Sequence, residues 1–370
     1  MRVIGLNSGT SFDAIDAAVA DIELDRETIV LKPIGGLGAP YPKDLQDAIA
    51  QALPPNPTTL EAVCRLDTLI GQAFANTARD AIARFGPADL IASHGQTLFH
   101  WVEDDTVRGT LQLGQPAWIA ERTNVPVVAD VRARDVAAGG QGAPLVSLLD
   151  VLLLQDRPGT PAALNLGGIA NLTIATDPPL AFDTGPANAL LDAAARHFYA
   201  TPHDTDGQHA AAGTPIQPLL DRLLDDPYYA RPAPKTTGKE HFHLAYLQER
   251  LEPGDAPDDI LATLTQLTAQ TVAGAARRHG VTELIASGGG TRNPALMAAL
   301  ASHLPTTTSD ALELPTQHKE AYAFALLGFL TAHGRAGTLP SCTGARHPTV
   351  LGAVTPAAPT SPAPRKLRLA

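Results

Sequence analysis

Leu90-Ile91-Ala92-Ser93-His94-Gly95-Gln96-Thr97 and Leu284-Ile285-Ala286-Ser287-Gly288-Gly289-Gly290-Thr291 decide the fold of this chain. Each is a short apolar run bounded by a glycine turn, the pattern of a buried strand, and the two lie about 190 residues apart. What precedes them repeats as well. Before the first come a strand (Arg2 to Leu6), a polar turn (Asn7-Ser8-Gly9-Thr10-Ser11), a second strand (Ile15 to Ile22) and a helical stretch from Thr59 to Phe85, which ends at Gly86-Pro87. Before the second come Ala162 to Leu166, a Gly167-Gly168 turn, Asn171 to Ile174 and a helix from Asp258 to His279, which ends at Gly280. The same order of elements twice predicts an internal duplication: two α/β domains facing each other across a central cleft, where ligands usually bind. The sequence boundary falls near Arg157-Pro158-Gly159, giving domains at 1–157 and 158–354. Residues 355–370, rich in Pro, Ala and Ser, read as a disordered tail.

Composition narrows the function. At 370 residues the length suits two domains, and 44 % apolar residues suffice for two cores. A formal charge of -11 argues against a nucleic-acid partner, which would need a basic face to displace phosphate counterions. It leaves phosphorylated ligands open, because those are held by local backbone amides. Cys64 and Cys342 stand far apart, in no metal or redox spacing, which fits a reducing cytoplasm. No apolar run reaches the roughly 20 residues of a membrane span, so no membrane partner is expected.

The turns carry the chemistry. Gly9-Thr10-Ser11-Phe12-Asp13-Ala14-Ile15-Asp16 is either an ordinary hairpin bend or a phosphate grip, in which small residues bring backbone amides and hydroxyls close. In the second case Asp13 and Asp16 suit a hydrated Mg2+. No Gly-Lys-Ser/Thr follows, so a P-loop is excluded. Gly167-Gly168 is the matching bend of the second half, an ordinary hairpin or a second phosphate grip, and Gly288-Gly289-Gly290 is either a flexible strand-to-helix turn or one on which a flat nucleobase and ribose can lie. Asn293-Pro294 then starts a helix. Asp183, after the apolar run to Phe182 and before Thr184-Gly185, is a general base, or a helix cap or turn residue. Asp130-Val131-Arg132-Ala133-Arg134-Asp135 reads as a solvated loop or, with Gly139-Gly140-Gln141-Gly142, as a grip for a polyhydroxyl or carboxylate ligand with an Arg clamp.

Taken in order, these motifs together with Asp206-Gly207, Pro234-Lys235-Thr236-Thr237-Gly238-Lys239-Glu240 and Lys319-Glu320-Ala321 resemble the anhydro-N-acetylmuramic acid kinases, from Gly5 to about Gly352. The resemblance implies the duplicated actin-like (ribonuclease H-like) fold of the hexokinase, Hsp70 and actin superfamily. It also implies an ATP- and Mg2+-dependent phosphorylation of 1,6-anhydro-N-acetylmuramic acid, with water opening the anhydro bridge to give N-acetylmuramate 6-phosphate in cell-wall recycling. By the same likeness Gly9 to Asp16, Gly167, Gly168 and Gly288 to Gly290 bind the nucleotide, and Asp183 activates the water. Thr97, Arg132 and Glu320 lie near the sugar, and a homodimer is common among such kinases. The competing readings are a superfamily kinase for another sugar or small acid, and a nucleotide-driven clamp or filament protein that would leave Arg132 and Thr97 without a purpose. Three positions depart from the family habit: Asn7 stands where Met is common, and Ala14 and Ala187 where Gly is common. An added methyl there costs stability if φ is positive.

Overall fold

In the computed structural model, which describes every residue except Thr10, Asp105 and Ala370, the strands in chain order are β1 (Arg2–Asn7), β2 (Ala14–Asp25), β3 (Thr28–Pro40), β4 (Leu90–Ser93), β5 (Gln96–Glu103), β6 (Thr106–Leu113), β7 (Val127–Ala129), β8 (Pro161–Leu166), β9 (Ile169–Ile174), β10 (Leu180–Pro186), β11 (Glu283–Ser287), β12 (Thr306–Thr308) and β13 (Ala353–Thr355). One sheet has the order β13-β7-β4-β1-β2-β3, a second the order β10-β9-β8-β11-β12, and β5 pairs with β6 as a separate ribbon. In the first sheet β1, β2 and β3 are joined antiparallel, while β4 pairs parallel with β1 and β7 parallel with β4. The second sheet repeats this: β8, β9 and β10 antiparallel, then β11 parallel with β8 and β12 parallel with β11. Three meandering strands followed by two parallel ones, present twice, is the duplicated actin-like, ribonuclease H-like plan. The octapeptides that suggested the repeat are the equivalent strands β4 and β11 with the turns that follow them.

The chain forms two compact units, Met1–Val146 with Glu320–Ala370, and Ser147–Lys319. The sequence division at 157 and 354 differs from this, because the polypeptide returns to the first unit at Glu320. The reason lies in the helix Lys319–Ala332, which is buried almost all round. It lies so close on the first sheet that a Cβ on Gly5 would sit 1.8 Å from the Ala321 carbonyl oxygen, and one on Gly328 2.4 Å from the Ala92 Cβ. A helix apolar on every face has no stripe that names the sheet it covers.

The first core joins Ile4, Leu6, Ile15 and Val19 of the sheet to Ile70, Phe74 and Ala78 of the helix Leu60–Phe85. That helix begins at Thr59, whose hydroxyl accepts from the Ala62 N–H, and stops at Gly86 with φ at +96°, as the Gly-Pro signal predicts. In the second unit, Leu164, Leu172 and Leu284 pack against Ala269, Val272 and Ala276 of the helix Pro257–Arg278. β13 ends at Thr355, and residues 356–369 belong to no helix or strand. Among the described residues no helix is long and apolar enough to cross a membrane.

Candidate active site

In the first unit the bend between β1 and β2 is closed by the Phe12 N–H donating to the Gly9 carbonyl at 3.1 Å. Phe12 takes φ at +41°. Ser8 and Gln96, both buried, brace the bend from beneath: the Ser8 Oγ donates to the Gln96 Oε1 at 2.6 Å, and the Gln96 Nε2 donates to the Gly9 carbonyl at 3.3 Å. This leaves Gly9 facing open space, where an added Cβ would meet nothing nearer than the Ser11 Oγ at 3.9 Å. Ser11 and Asp13 are exposed, the Ser11 hydroxyl donating to the Asp13 Oδ1 at 2.8 Å. Ile15, within the same expected run, is buried in the core, so its side chain serves packing. Thr10 lies outside the described residues. Ala14 is not among the residues of positive φ, and Ala187 has φ at -117°, so neither departure from Gly falls where φ is positive.

Of the expected sugar-side residues, Arg132 and Glu320 lie close enough for their charges to interact, while Thr97 sits on the β5–β6 ribbon. The Arg132 Nε donates to the His94 Nε2 at 2.8 Å and its Nη1 to the Gly142 carbonyl at 2.6 Å. A guanidinium N–H only donates, so the imidazole accepts at Nε2, carries its proton on Nδ1 and donates it to the Gly95 carbonyl at 2.9 Å. Burial first, and the Arg132 charge second, hold the His94 pKa well below its usual value, which keeps it neutral. Burial brings Arg132 down to about 10, while Glu320 and Asp135 act in the other direction, so it stays cationic at neutral pH. Its Nη2 has no hydrogen bond among the described residues. Glu320 accepts from the Asn7 Nδ2 at 2.8 Å. Thr97 accepts from the Gln112 Nε2 at 3.2 Å across the β5–β6 ribbon.

Of the alternating charges from Asp130 to Asp135, Asp130 and Arg134 are exposed, and Asp135 is not. Asp135 is fully buried, accepting from the Gly142 N–H at 2.8 Å and the Thr343 hydroxyl at 2.8 Å. Gly140 passes so close that a Cβ would lie 2.2 Å from the Asp135 Oδ2. Asp135 therefore ties the glycine loop to the segment that carries Arg132.

In the second unit the Gly167-Gly168 bend rests on the start of the helix Asn188–Tyr199. The N–H groups of Ala187 and Ala189 donate to the Gly168 carbonyl, and the Asn188 N–H and side chain to the Gly167 carbonyl, at 2.9 to 3.1 Å. With both carbonyls engaged, the two glycine N–H groups donate to nothing among the described residues. In the triple-glycine turn the three residues differ. Gly288, at φ +87°, would place a Cβ 2.6 Å from the Asn165 Oδ1, and Gly290 one 2.7 Å from the Leu166 Cβ, whereas Gly289 has nothing within 4 Å. Gly288 and Gly290 are glycines because protein is in the way; Gly289 looks outward.

Asp183 lies within β10, half-buried, where the register with β9 slips between Asp183 and Gly185. It is no helix cap: Ala187 holds that position for the following helix, without a side-chain bond. The loop after the cis peptide Ala233-Pro234 wraps it. The Asp183 N–H donates to the Lys235 carbonyl at 2.9 Å, and the Thr237 N–H donates to the Asp183 Oδ2 at 3.0 Å. The other carboxylate oxygen has no hydrogen bond among the described residues. Burial raises the Asp183 pKa to about 6, with the Glu240 charge adding to the rise and the Thr237 N–H and Lys235 opposing it. Lys235 donates to the Tyr228 carbonyl at 2.9 Å and lies over the Tyr228 ring; burial lowers it to about 8. The sequence reading gave this wrap no role, since only the fold brings 235–240 beside 183.

A family profile described as anhydro-N-acetylmuramic acid kinase matches residues 1–357. The anhydro-N-acetylmuramic acid kinase of Streptomyces coelicolor is 61% identical over 367 residues, 96% of this chain and 94% of that one. That of Rhodococcus erythropolis is 56% identical over 374 residues, with the same coverage of 96% and 94%. Among solved structures, component A of the (R)-2-hydroxyglutaryl-CoA dehydratase of Acidaminococcus fermentans is similar at 13% identity and a TM-score of 0.47, over 90% of this chain and 99% of that one.

Proposed function

This chain belongs to the anhydro-N-acetylmuramic acid kinase family, and from that premise we propose that it transfers the γ-phosphoryl group of ATP to O6 of 1,6-anhydro-N-acetylmuramic acid while water opens the anhydro bridge. The water oxygen bonds to C1, the bond from C1 to the bridge oxygen breaks, and that oxygen takes the phosphoryl group. Asp183 takes the water's proton. The products are N-acetylmuramate 6-phosphate and ADP, an intermediate of cell-wall recycling made in the cytoplasm.

The observation that carries this reading is the state of Asp183. One oxygen is fixed by the Thr237 N–H, the other has no hydrogen bond among the described residues, and a pKa of about 6 keeps the group largely ionised at neutral pH yet basic enough to take a proton. Arg132, its fork fixed at Nε and Nη1, offers Nη2 to an oxygen of the sugar. Glu320, oriented by Asn7, accepts from a sugar hydroxyl or amide.

Phosphate oxygens of the nucleotide are assigned to each glycine bend taken by itself, and the two N–H groups of Gly167-Gly168, which donate to nothing among the described residues, suit anionic oxygens. Mg2+ fits the first bend: Asp13 is exposed, and among the described residues only its Oδ1 accepts a hydrogen bond. A magnesium ion that keeps its waters needs no more than one or two carboxylates, so Asp13 and Asp16 would hold it, and it would neutralise charge on the phosphate oxygens.

The test is phosphoryl transfer from ATP to a panel of amino sugars with and without an anhydro bridge, run in 18O-labelled water. The expected product carries phosphate at O6 and the label at C1. Equal turnover of a reducing sugar with no bridge would replace this reading with that of a general sugar kinase.

A further inference from the structure

The polypeptide passes between its two units twice, at Val146–Ser147 and at Lys319–Glu320. Just past the first crossing, Asp150 lies in the first turn of the helix Ser147–Leu154; at the second, Lys319 opens the helix Lys319–Ala332. Both side chains are buried, at 5% and 4% exposure, and the Lys319 Nζ is 2.5 Å from the Asp150 Oδ1. The same ammonium donates to the Ser287 Oγ at 3.2 Å. Ser287 is the last residue of β11, immediately before Gly288, and its hydroxyl donates to the Leu164 carbonyl of β8 at 3.3 Å. One nitrogen thus joins both crossings, on the second unit's side, to the root of the triple-glycine turn. The next residue in the chain is Glu320.

We propose that Lys319 is a positioning residue that couples occupancy of the Gly288–Gly290 turn by nucleotide to the placement of Glu320 for the sugar; this rests on the functional reading above. A buried ion pair is a poor way to stabilise a fold, since apolar side chains of similar volume often do as well or better. What a charged, directional contact supplies is a fixed geometry. A change at Gly288 on nucleotide binding is felt at Ser287, passes to the ammonium that Ser287 shares with Asp150, and reaches Glu320 across one peptide bond. Such coupling is reciprocal: the sugar must tighten nucleotide by the factor by which nucleotide tightens the sugar.

Calorimetry tests this. The dissociation constant of 1,6-anhydro-N-acetylmuramic acid is measured with and without the non-hydrolysable analogue AMPPNP, whose own affinity is measured alone. In the native protein the nucleotide should tighten the sugar by a factor in the range of about 5–150. In the double variant Asp150→Leu, Lys319→Met, which removes both charges and leaves no unpaired charge, that factor should fall close to 1 while AMPPNP alone binds within about threefold of native. Lys319→Arg, keeping the charge, should restore part of it, which a purely structural role does not predict. Ser287→Ala cuts only the arm to the glycine turn and should also lower the factor; it decides alone if the double variant does not fold. A native factor of 1, or an undiminished factor in the folded variants, overturns the proposal. Turnover of the anhydro sugar by the native protein is scored separately, so its absence counts against the functional reading, and its presence with unaltered coupling counts only against Lys319.

Discussion

The turns after β4 and β11 occupy the same place in the two repeats, and they are built in opposite ways. After β4 the turn is filled with side chains: His94 held by Arg132, Gln96 held by Ser8. After β11 the equivalent positions are glycines, two packed against β8 and its end, and the middle one facing outward. One repeat therefore presents directional side chains and the other bare backbone. A sugar with hydroxyls at fixed positions is discriminated by the first kind of surface. A flat base and ribose need only close approach, which the second provides.

The largest expected effect belongs to the unit with the bare turn, because it also holds Asp183. Asp183→Asn keeps the shape and loses the proton acceptor, so kcat should fall by about 10²–10⁴ with small changes in ligand affinity and melting temperature. A folded variant that keeps more than about a tenth of the native kcat removes Asp183 from the mechanism.

Arg132→Gln probes the side-chain-lined unit. Losing one charged donor should raise the sugar KM about 10- to 100-fold, and the ATP KM should not move. A change in ATP KM instead would erase the distinction between the two turns.

Within the glycine turn, Gly289→Val should raise the ATP KM about tenfold or more and leave the melting temperature alone, having no protein atom to strike. Gly288→Ala should do the reverse, costing about 1–3 kcal/mol of stability through its left-handed φ and its contact with Asn165. Equal behaviour of the two would mean that the outward-facing residue has no ligand.

The smallest effect is on pH dependence. The carboxylate must be ionised to accept a proton, so kcat/KM should fall as pH drops through about 6. Glu240→Gln removes a like charge that disfavours the ionised form, so this limb should move to lower pH by less than about one unit. A limb that stays in place, or moves up, excludes Glu240 from the electrostatics of Asp183.

The sequence by itself determined the doubling and part of the elements, and not β3, the β5–β6 ribbon or β12. Apolar runs gave β1, β4, β8 and β11, Thr59 and Gly86 bounded a helix, and Asn293 capped the next. These are local signals: strand burial, caps and glycine turns are written in residues close together in the chain. Asp183 was singled out as a lone carboxylate, but its alternative as a helix cap was removed only by the position of Ala187. Tertiary structure alone decided that Lys319–Ala332 covers the first sheet, that Asn7 meets Glu320 from 313 residues away, and that Lys235, Thr237 and Glu240 surround Asp183. Periodicity records that a face is to be buried and not against what, so a residue's partners, and with them its protonation state, are fixed only when distant segments pack.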